Sequence, residues 1–249
     1  MFENLLKEIQ IEAGELDFNS LYSFESPAEN KRKEWLISRL GKFTASESIR
    51  LMGYEDKLEF PEGAMTYATE KAIEVLTEYN PERRINSKSV EWGNLTENEA
   101  CEVFMEKYNL EVLKYGSNQE IISKGEHLSC TPDGIIKDEN GFIISGIETK
   151  CPDSKTHLFY LQNLNLSSFK KLVTKYYWQI QTCIYVTNAQ YWYFISYDPA
   201  FKKEENRMLV MKIERNEEDI AKLRRRLGQA IKEKQKILKK YNKIIILIK

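Results

Sequence analysis

Two β-rich runs, Gly134–Lys137 and Phe142–Lys150, flank a short segment that contains Asn140-Gly141. Asn-Gly readily takes the positive-φ positions of a tight turn, so between two such runs it is a strong hairpin signal. It commits the middle of the chain to an antiparallel pair whose faces the rest must cover. A third β-rich run, Glu120–Ser123, precedes the pair. A helical stretch over Val173–Val186 and an aromatic strand, Tyr191–Tyr197, follow it. This mixed order suits an α/β or α+β protein with one central sheet.

The helices are read from apolar spacing and their end signals. Lys31–Leu40 carries Trp35, Leu36 and Leu40 on one stripe, and Gly41 closes it. Thr44-Ala45-Ser46-Glu47 has the capping-box form, which predicts a second helix running to about Met52. Ala64–Tyr79 places Met65, Ala68, Ala72, Leu76 and Tyr79 at helical spacing, with Pro81 beyond its end. Ser89–Tyr108 turns Trp92, Leu95, Val103 and Phe104 inward. From Asn216, a good N-cap followed by Glu217, Glu218 and Asp219, one long helix carries Ile220, Leu223, Leu227, Ala230 and Ile237 as its stripe. Between Glu217 and Lys240 it holds nine Lys/Arg against four Asp/Glu. Such a basic face is a solvated surface packed on its own domain, a DNA-facing strip or a seam between subunits. We expect a single domain over 1–249, with an extension (1–30), a core (31–200) and a C-terminal strand and long helix (201–249).

Composition narrows the chemistry. The 249 residues hold 37 Lys+Arg against 38 Asp+Glu, a net charge of −1, so nucleic-acid binding must be argued from named residues. Hydrophobic residues at 42% exclude a disordered chain. The longest aliphatic run, Ile244–Ile248, is far short of a membrane span, and the first residues lack a signal-peptide pattern. The expectation is a cytoplasmic protein with reduced thiols. Cys101, Cys130, Cys151 and Cys183 lack the close pairing of a zinc or iron–sulfur site, and His127 and His157 are the only histidines. Any metal would rest on oxygen ligands, which favours a hard cation such as Mg²⁺ or Mn²⁺.

Thr131-Pro132-Asp133-Gly134 precedes the hairpin, and Glu148-Thr149-Lys150 ends it. On a strand, Glu148 and Lys150 share a face while Ile147 and Thr149 take the other. Pro132 cannot donate to a ladder, so Asp133 belongs at a strand start or bulge. The hairpin brings Asp133 near Glu148, placing two carboxylates and an ammonium at one end. Two carboxylates can hold a divalent cation that activates water for phosphodiester hydrolysis, and a lysine can orient or deprotonate that water. An isolated Glu-x-Lys pair is common on surface hairpins, so the claim needs the other motifs.

These are Arg39-Leu40-Gly41 through Thr44-Ala45-Ser46, Gly93 through Glu97-Asn98-Glu99-Ala100, Thr131-Pro132-Asp133-Gly134, Glu148-Thr149-Lys150-Cys151-Pro152, and Tyr176-Tyr177-Trp178-Gln179-Ile180-Gln181. In this order they resemble the phage lambda-type exonuclease, or YqaJ-like viral recombinase, family of the PD-(D/E)xK nucleases, from about Trp35 to Val186. The resemblance implies a restriction-endonuclease-like core, a central mixed sheet flanked by helices. It implies Mg²⁺-dependent 5′→3′ digestion of one strand of linear duplex DNA, leaving a 3′ overhang for phage-type recombination. Asp133, Glu148 and the Thr149 backbone carbonyl would hold metal, in all two ions, with Glu97 reaching it directly or through water. Lys150 would position the attacking water, supported by Glu97 and Gln179. Arg39 and Ser46 would take a terminal 5′-phosphate, with Thr131 and Gln179 also near the DNA. A homotrimer, a single-strand annealing partner and a phage or prophage origin are implied too.

Each residue also has a plainer reading. Arg39 and Ser46 suit a solvated helix end and a first helical turn. Glu97 shares a helix face with Ala100, Cys101 and Phe104, and such a carboxylate is costly unless paired or metal-linked; the competing reading is a partly exposed Glu in an acidic helix, with Glu91 the second choice. Gln179 also fits as a buried, bonded glutamine, with Gln181 facing elsewhere. His157 reads as a solvated loop residue and Tyr191–Tyr197 as core. A structure-specific endonuclease and a non-catalytic DNA-binding module are the alternative functions.

Overall fold

The computed structural model describes residues 34–79 and 88–246. The chain divides into two units, Met1–Ser38 and Arg39–Lys249, and the architecture below is that of the second. The expectations for residues 1–30, for Pro81 and for the tail 247–249 lie outside the described residues, as do the side chains of Glu91, Trp92, Leu95 and Ile244. Residues 34–39 are helical, inside the expected Lys31–Leu40.

In chain order, β1 (Phe43–Thr44) leads into a 3-10 segment (Ala45–Leu51), then α1 (Glu62–Thr77) and α2 (Lys88–Tyr108). Four strands follow: β2 (Ile122–Lys124), β3 (Leu128–Cys130), β4 (Gly134–Lys137) and β5 (Ile143–Lys150). Then come α3 (Ser154–Asn163), α4 (Leu166–Leu172), α5 (Thr174–Thr187), β6 (Tyr191–Tyr197), β7 (Met208–Glu214) and α6 (Glu217–Ile246).

The β4–β5 hairpin forms as expected. Gly141 sits at φ 82°, and the Asp138 side chain accepts the N–H groups of Asn140 and Phe142 at 3.0 and 2.9 Å. Its register pairs Gly134 with Ile147, which sets Asp133 beside Glu148. β5 then pairs in parallel with β6, and β7 closes the sheet antiparallel, in the order β4-β5-β6-β7. A parallel pair needs a crossover, and α3, α4 and α5 supply it. The strands do not all join one sheet: β1-β3-β2 form a second, three-stranded one, with β1 parallel and β2 antiparallel to β3.

α5 is the spine of the core. Trp178, Ile180 and Ile184 are fully buried in one cluster with Trp192 and Phe194 of β6 and with Leu223 and Ala230 of α6. Burial of each large apolar side chain contributes roughly 1.5–3 kcal/mol. The aromatic strand is core, as expected, and so is the stripe of α6 through Ile220, Leu223, Leu227 and Ala230.

Three local expectations are corrected and a fourth is narrowed. The Thr44 side chain caps nothing: Thr44 is drawn into β1, its N–H donates to the Tyr67 hydroxyl at 3.1 Å, and a 3-10 turn replaces the α-helix. Met65 and Tyr79 are exposed, and α1 instead buries Ala64, Tyr67, Ala68 and Ala72, with the Lys71–Glu74 ion pair (2.7 Å) on the same side. His157 is not a loop residue: it is fully buried in α3, bonded to Ser196 Oγ at 2.7 Å and to the Asn206 carbonyl at 2.9 Å. The basic face of α6 divides: Lys222, Arg225 and Arg226 turn onto the loop 53–59 of the same domain, while Arg224, Lys232, Lys236, Lys239 and Lys240 are exposed. Arg226, fully buried, donates to the carbonyls of Glu59, Tyr54 (3.0 Å) and Lys57 (2.9 Å). Arg225 reaches the Glu55 carbonyl at 3.2 Å, and Lys222 pairs with Asp56 at 2.6 Å.

Candidate active site

Both faces of the end of β5 are covered. Glu148 is fully buried, Thr149 nearly so, and Lys150 at the strand end keeps its side chain 28% exposed. Asp133, the residue before β4, turns back onto β5 and accepts the Thr149 N–H through Oδ2 at 2.7 Å. A backbone bond thus fixes the carboxylate that the Pro132-Asp133 pattern marks. Lys150 Nζ lies 2.5 Å from Glu148 Oε1 and 3.9 Å from Asp133 Oδ2, so its ammonium stands between the two carboxylates. The buried Oε1 thus has this ammonium as its ion-pair partner. The Tyr176 ring lies 5.4 Å from the same ammonium.

Two helices add to the hairpin. From α5, Gln179 Nε2 donates to Glu148 Oε2 at 2.6 Å. Gln181 faces away: it is fully buried, donates to the Glu214 carbonyl and accepts the Asn216 N–H, holding β7 to the start of α6. From α2, Glu97 comes in half-buried, and Gln119 Nε2 donates to its Oε1 at 2.8 Å while lying 3.5 Å from Asp133 Oδ1. Gln119 is a site residue that sequence reasoning missed. Its role depends on how the chain returns between α2 and β2, and no local pattern marks it.

The electrostatics follow from burial. Burial raises Glu148 to about 7, with Lys150 pulling it back and Asp133 pushing it further. Burial raises Glu97 to about 8, and the Asp133 charge adds to this. Asp133 is raised as well, burial outweighing Lys150 and the Thr149 N–H. Burial disfavours the charged form of Lys150, but Glu148 and Asp133 overcome that and hold it protonated.

Three crowded carboxylates need positive charge, and one ammonium supplies only part of it. Among the described residues no group of three or more His, Cys, Asp or Glu side chains is drawn together as a metal cage. The donor chemistry nevertheless fits a hard cation: carboxylate oxygens of Asp133, Glu148 and Glu97 gathered at a partly open strand end.

The other predicted residues lie on other segments than β5, α2 and α5. Ser46 is half-buried and close to Thr44 (Oγ1 to Oγ, 3.4 Å). Arg39 is buried and partnered, just before a turn whose Gly41 N–H donates to Glu74 (2.9 Å) and whose Gly41 carbonyl accepts from Lys234 (2.7 Å). The α-helix expected to start at Thr44, beside Ser46, is a 3-10 segment, so no α-helix N-terminus stands there. Thr131, half-buried, directly follows β3.

The sequence profile of the YqaJ-like viral recombinase domain matches residues 34–190. No curated protein sequence matches the chain. Among solved structures, the alkaline exonuclease LHK-Exo from Laribacter hongkongensis superposes with a TM-score of 0.70 at 22% identity, covering 87% of this chain and 100% of that one. A second structure holds that exonuclease in complex with dAMP. A phage-related exonuclease from Haemophilus somnus 129PT gives 0.62 at 18% identity, over 80% and 96%. At these identities the likeness is one of fold, the mixed α+β core of PD-(D/E)xK nucleases.

Proposed function

Because the chain belongs to the YqaJ-like viral recombinase family, we propose that it is a divalent-metal-dependent exonuclease that digests one strand of linear duplex DNA from its 5′ end. The observation that carries this reading is the Asp133–Glu148–Lys150 cluster at the end of β5, with Gln179 bonded to Glu148 at 2.6 Å. In this reading Asp133, Glu148 and the Thr149 carbonyl hold Mg²⁺ or Mn²⁺, with Glu97 adjoining. When bound, the metal lowers the pKa of a water and stabilises charge on the transferring phosphate. Lys150, held protonated by its two carboxylates, orients the attacking water and donates to the developing negative charge rather than taking a proton. Gln179 fixes the Glu148 oxygen it touches, and the Thr149 N–H fixes Asp133. A fold relative captured with dAMP supports a mononucleotide product. Arg39 and Ser46 are assigned to the 5′-terminal phosphate on the family motif, with Thr131 and Gln179 near the DNA. In the same reading the enzyme works as a homotrimer beside a single-strand annealing protein and leaves a 3′ overhang.

The test is digestion of 5′-phosphorylated linear duplex and closed circular DNA with Mg²⁺, beside Lys150→Ala. Loss of the linear duplex alone, abolished in the variant, supports the reading. Cutting of the circle makes it an endonuclease, and no cutting under any divalent metal leaves a DNA-binding module.

A further inference from the structure

Gln119 contacts two of the three site carboxylates with one nitrogen: Nε2 is 2.8 Å from Glu97 Oε1 and 3.5 Å from Asp133 Oδ1. We propose that Gln119 is a positioning residue that holds Glu97 against Asp133, and so completes the cation site; this rests on the metal-dependent reading above.

The chemistry of the amide suits the task. Glu97 and Asp133, both within reach of one nitrogen, repel each other when ionised. An NH₂ group has two hydrogens, one for each carboxylate, and no charge of its own. It draws the two together while leaving their negative charge for a cation. A lysine in the same place would cancel that charge.

The backbone aims the side chain. Gln119 closes a 3-10 turn, Gly116–Asn118, with its N–H on the Gly116 carbonyl at 3.3 Å. Gly116 lies at φ 58°, and a Cβ there would stand 2.2 Å from Asn98 Oδ1. The turn is therefore fitted against α2 at the residue next to Glu97. Groups of this kind, one layer behind the ligands, typically alter metal affinity 10–100-fold when removed.

The experiment uses the full chain and Mn²⁺ as probe, with calorimetric titration as the main readout. Gln119→Met keeps length and bulk but has no donor; Gln119→Ala checks that the residual thioether is not responsible. Asp133→Ala serves as the site control. The inference predicts Mn²⁺ binding weakened roughly tenfold or more in both Gln119 variants, at unchanged circular dichroism. At saturating metal, the turnover on linear duplex recovers toward that of the parent chain. Binding within twofold of the parent in both variants overturns the role of Gln119 and leaves the site reading intact. Binding lost only on unfolding of both variants assigns Gln119 to the fold and overturns the inference too. If the parent chain binds no Mn²⁺, or Asp133→Ala binds it equally, the metal reading itself fails and takes this inference with it.

Discussion

Gln179 and Glu148, 31 residues apart in sequence, meet at 2.6 Å, the amide of α5 on a carboxylate of β5 that solvent cannot reach. This bond ties the core helix α5 to β5. Lys150 pairs with Glu148 Oε1 at 2.5 Å and Gln179 holds Oε2, so the two together fix the carboxylate.

Replacing Gln179 by Met, which keeps its length, should remove one hydrogen bond to a charged acceptor. Such bonds contribute about 1.5–3 kcal/mol, which corresponds to a rate loss of roughly 10- to 150-fold if the contact persists in the transition state. Single-turnover digestion at saturating metal measures it. A rate within a factor of two of the parent would show that Gln179 does not act through Glu148.

Stability without metal should fall as pH rises. Glu148 near 7, Glu97 near 8 and a raised Asp133 all bind protons more tightly folded than unfolded. Their contribution is complete below the ordinary carboxylate range and is lost as pH climbs through the folded values. The raised Lys150 acts only at and above its ordinary value of 10.5, outside this window. In EDTA, the thermal midpoint between pH 5 and pH 8.5 should drop more for the parent chain than for Glu97→Gln/Glu148→Gln. Equal slopes, or a steeper drop in the double variant, would refute the assignment.

Arg226→Met should destabilise the fold by about 3 kcal/mol, because it removes the fully buried charged donor that three carbonyls of the loop 53–59 share. Arg226→Lys should restore little, since an ammonium cannot reproduce the planar fork. Urea denaturation reads both variants, and a loss below about 1 kcal/mol for Met would contradict the structure.

The hairpin and its site were readable because their signals are local. Asn140-Gly141 fixes the turn, and alternation along β5 separates Glu148 and Lys150 from Ile147 and Thr149. Where the signal depends on a distant partner, sequence reasoning failed. Thr44-x-x-Glu47 has the form of a cap, yet Tyr67, 23 residues on, captures the Thr44 N–H. His157 looked polar and idle, yet Ser196, 39 residues on, completes it. β1 and β3, two and three residues long, are too short for a period to show. α3 did carry a local signal that was overlooked: Asp153, after Pro152, caps it by accepting the Thr156 N–H at 2.9 Å.

The hairpin also bears on when the site comes into being. Asp133, Glu148 and Lys150 lie on neighbouring strands and can meet early, after closing a short loop. Glu97 and Gln179 arrive only when α2 and α5 dock on the sheet, from 22 residues before Gln119 and 31 residues beyond Glu148. A partly folded chain therefore carries the ammonium and two carboxylates before the groups that orient them have docked. The complete constellation is a property of the finished fold, and the hairpin alone holds its charges without their final order.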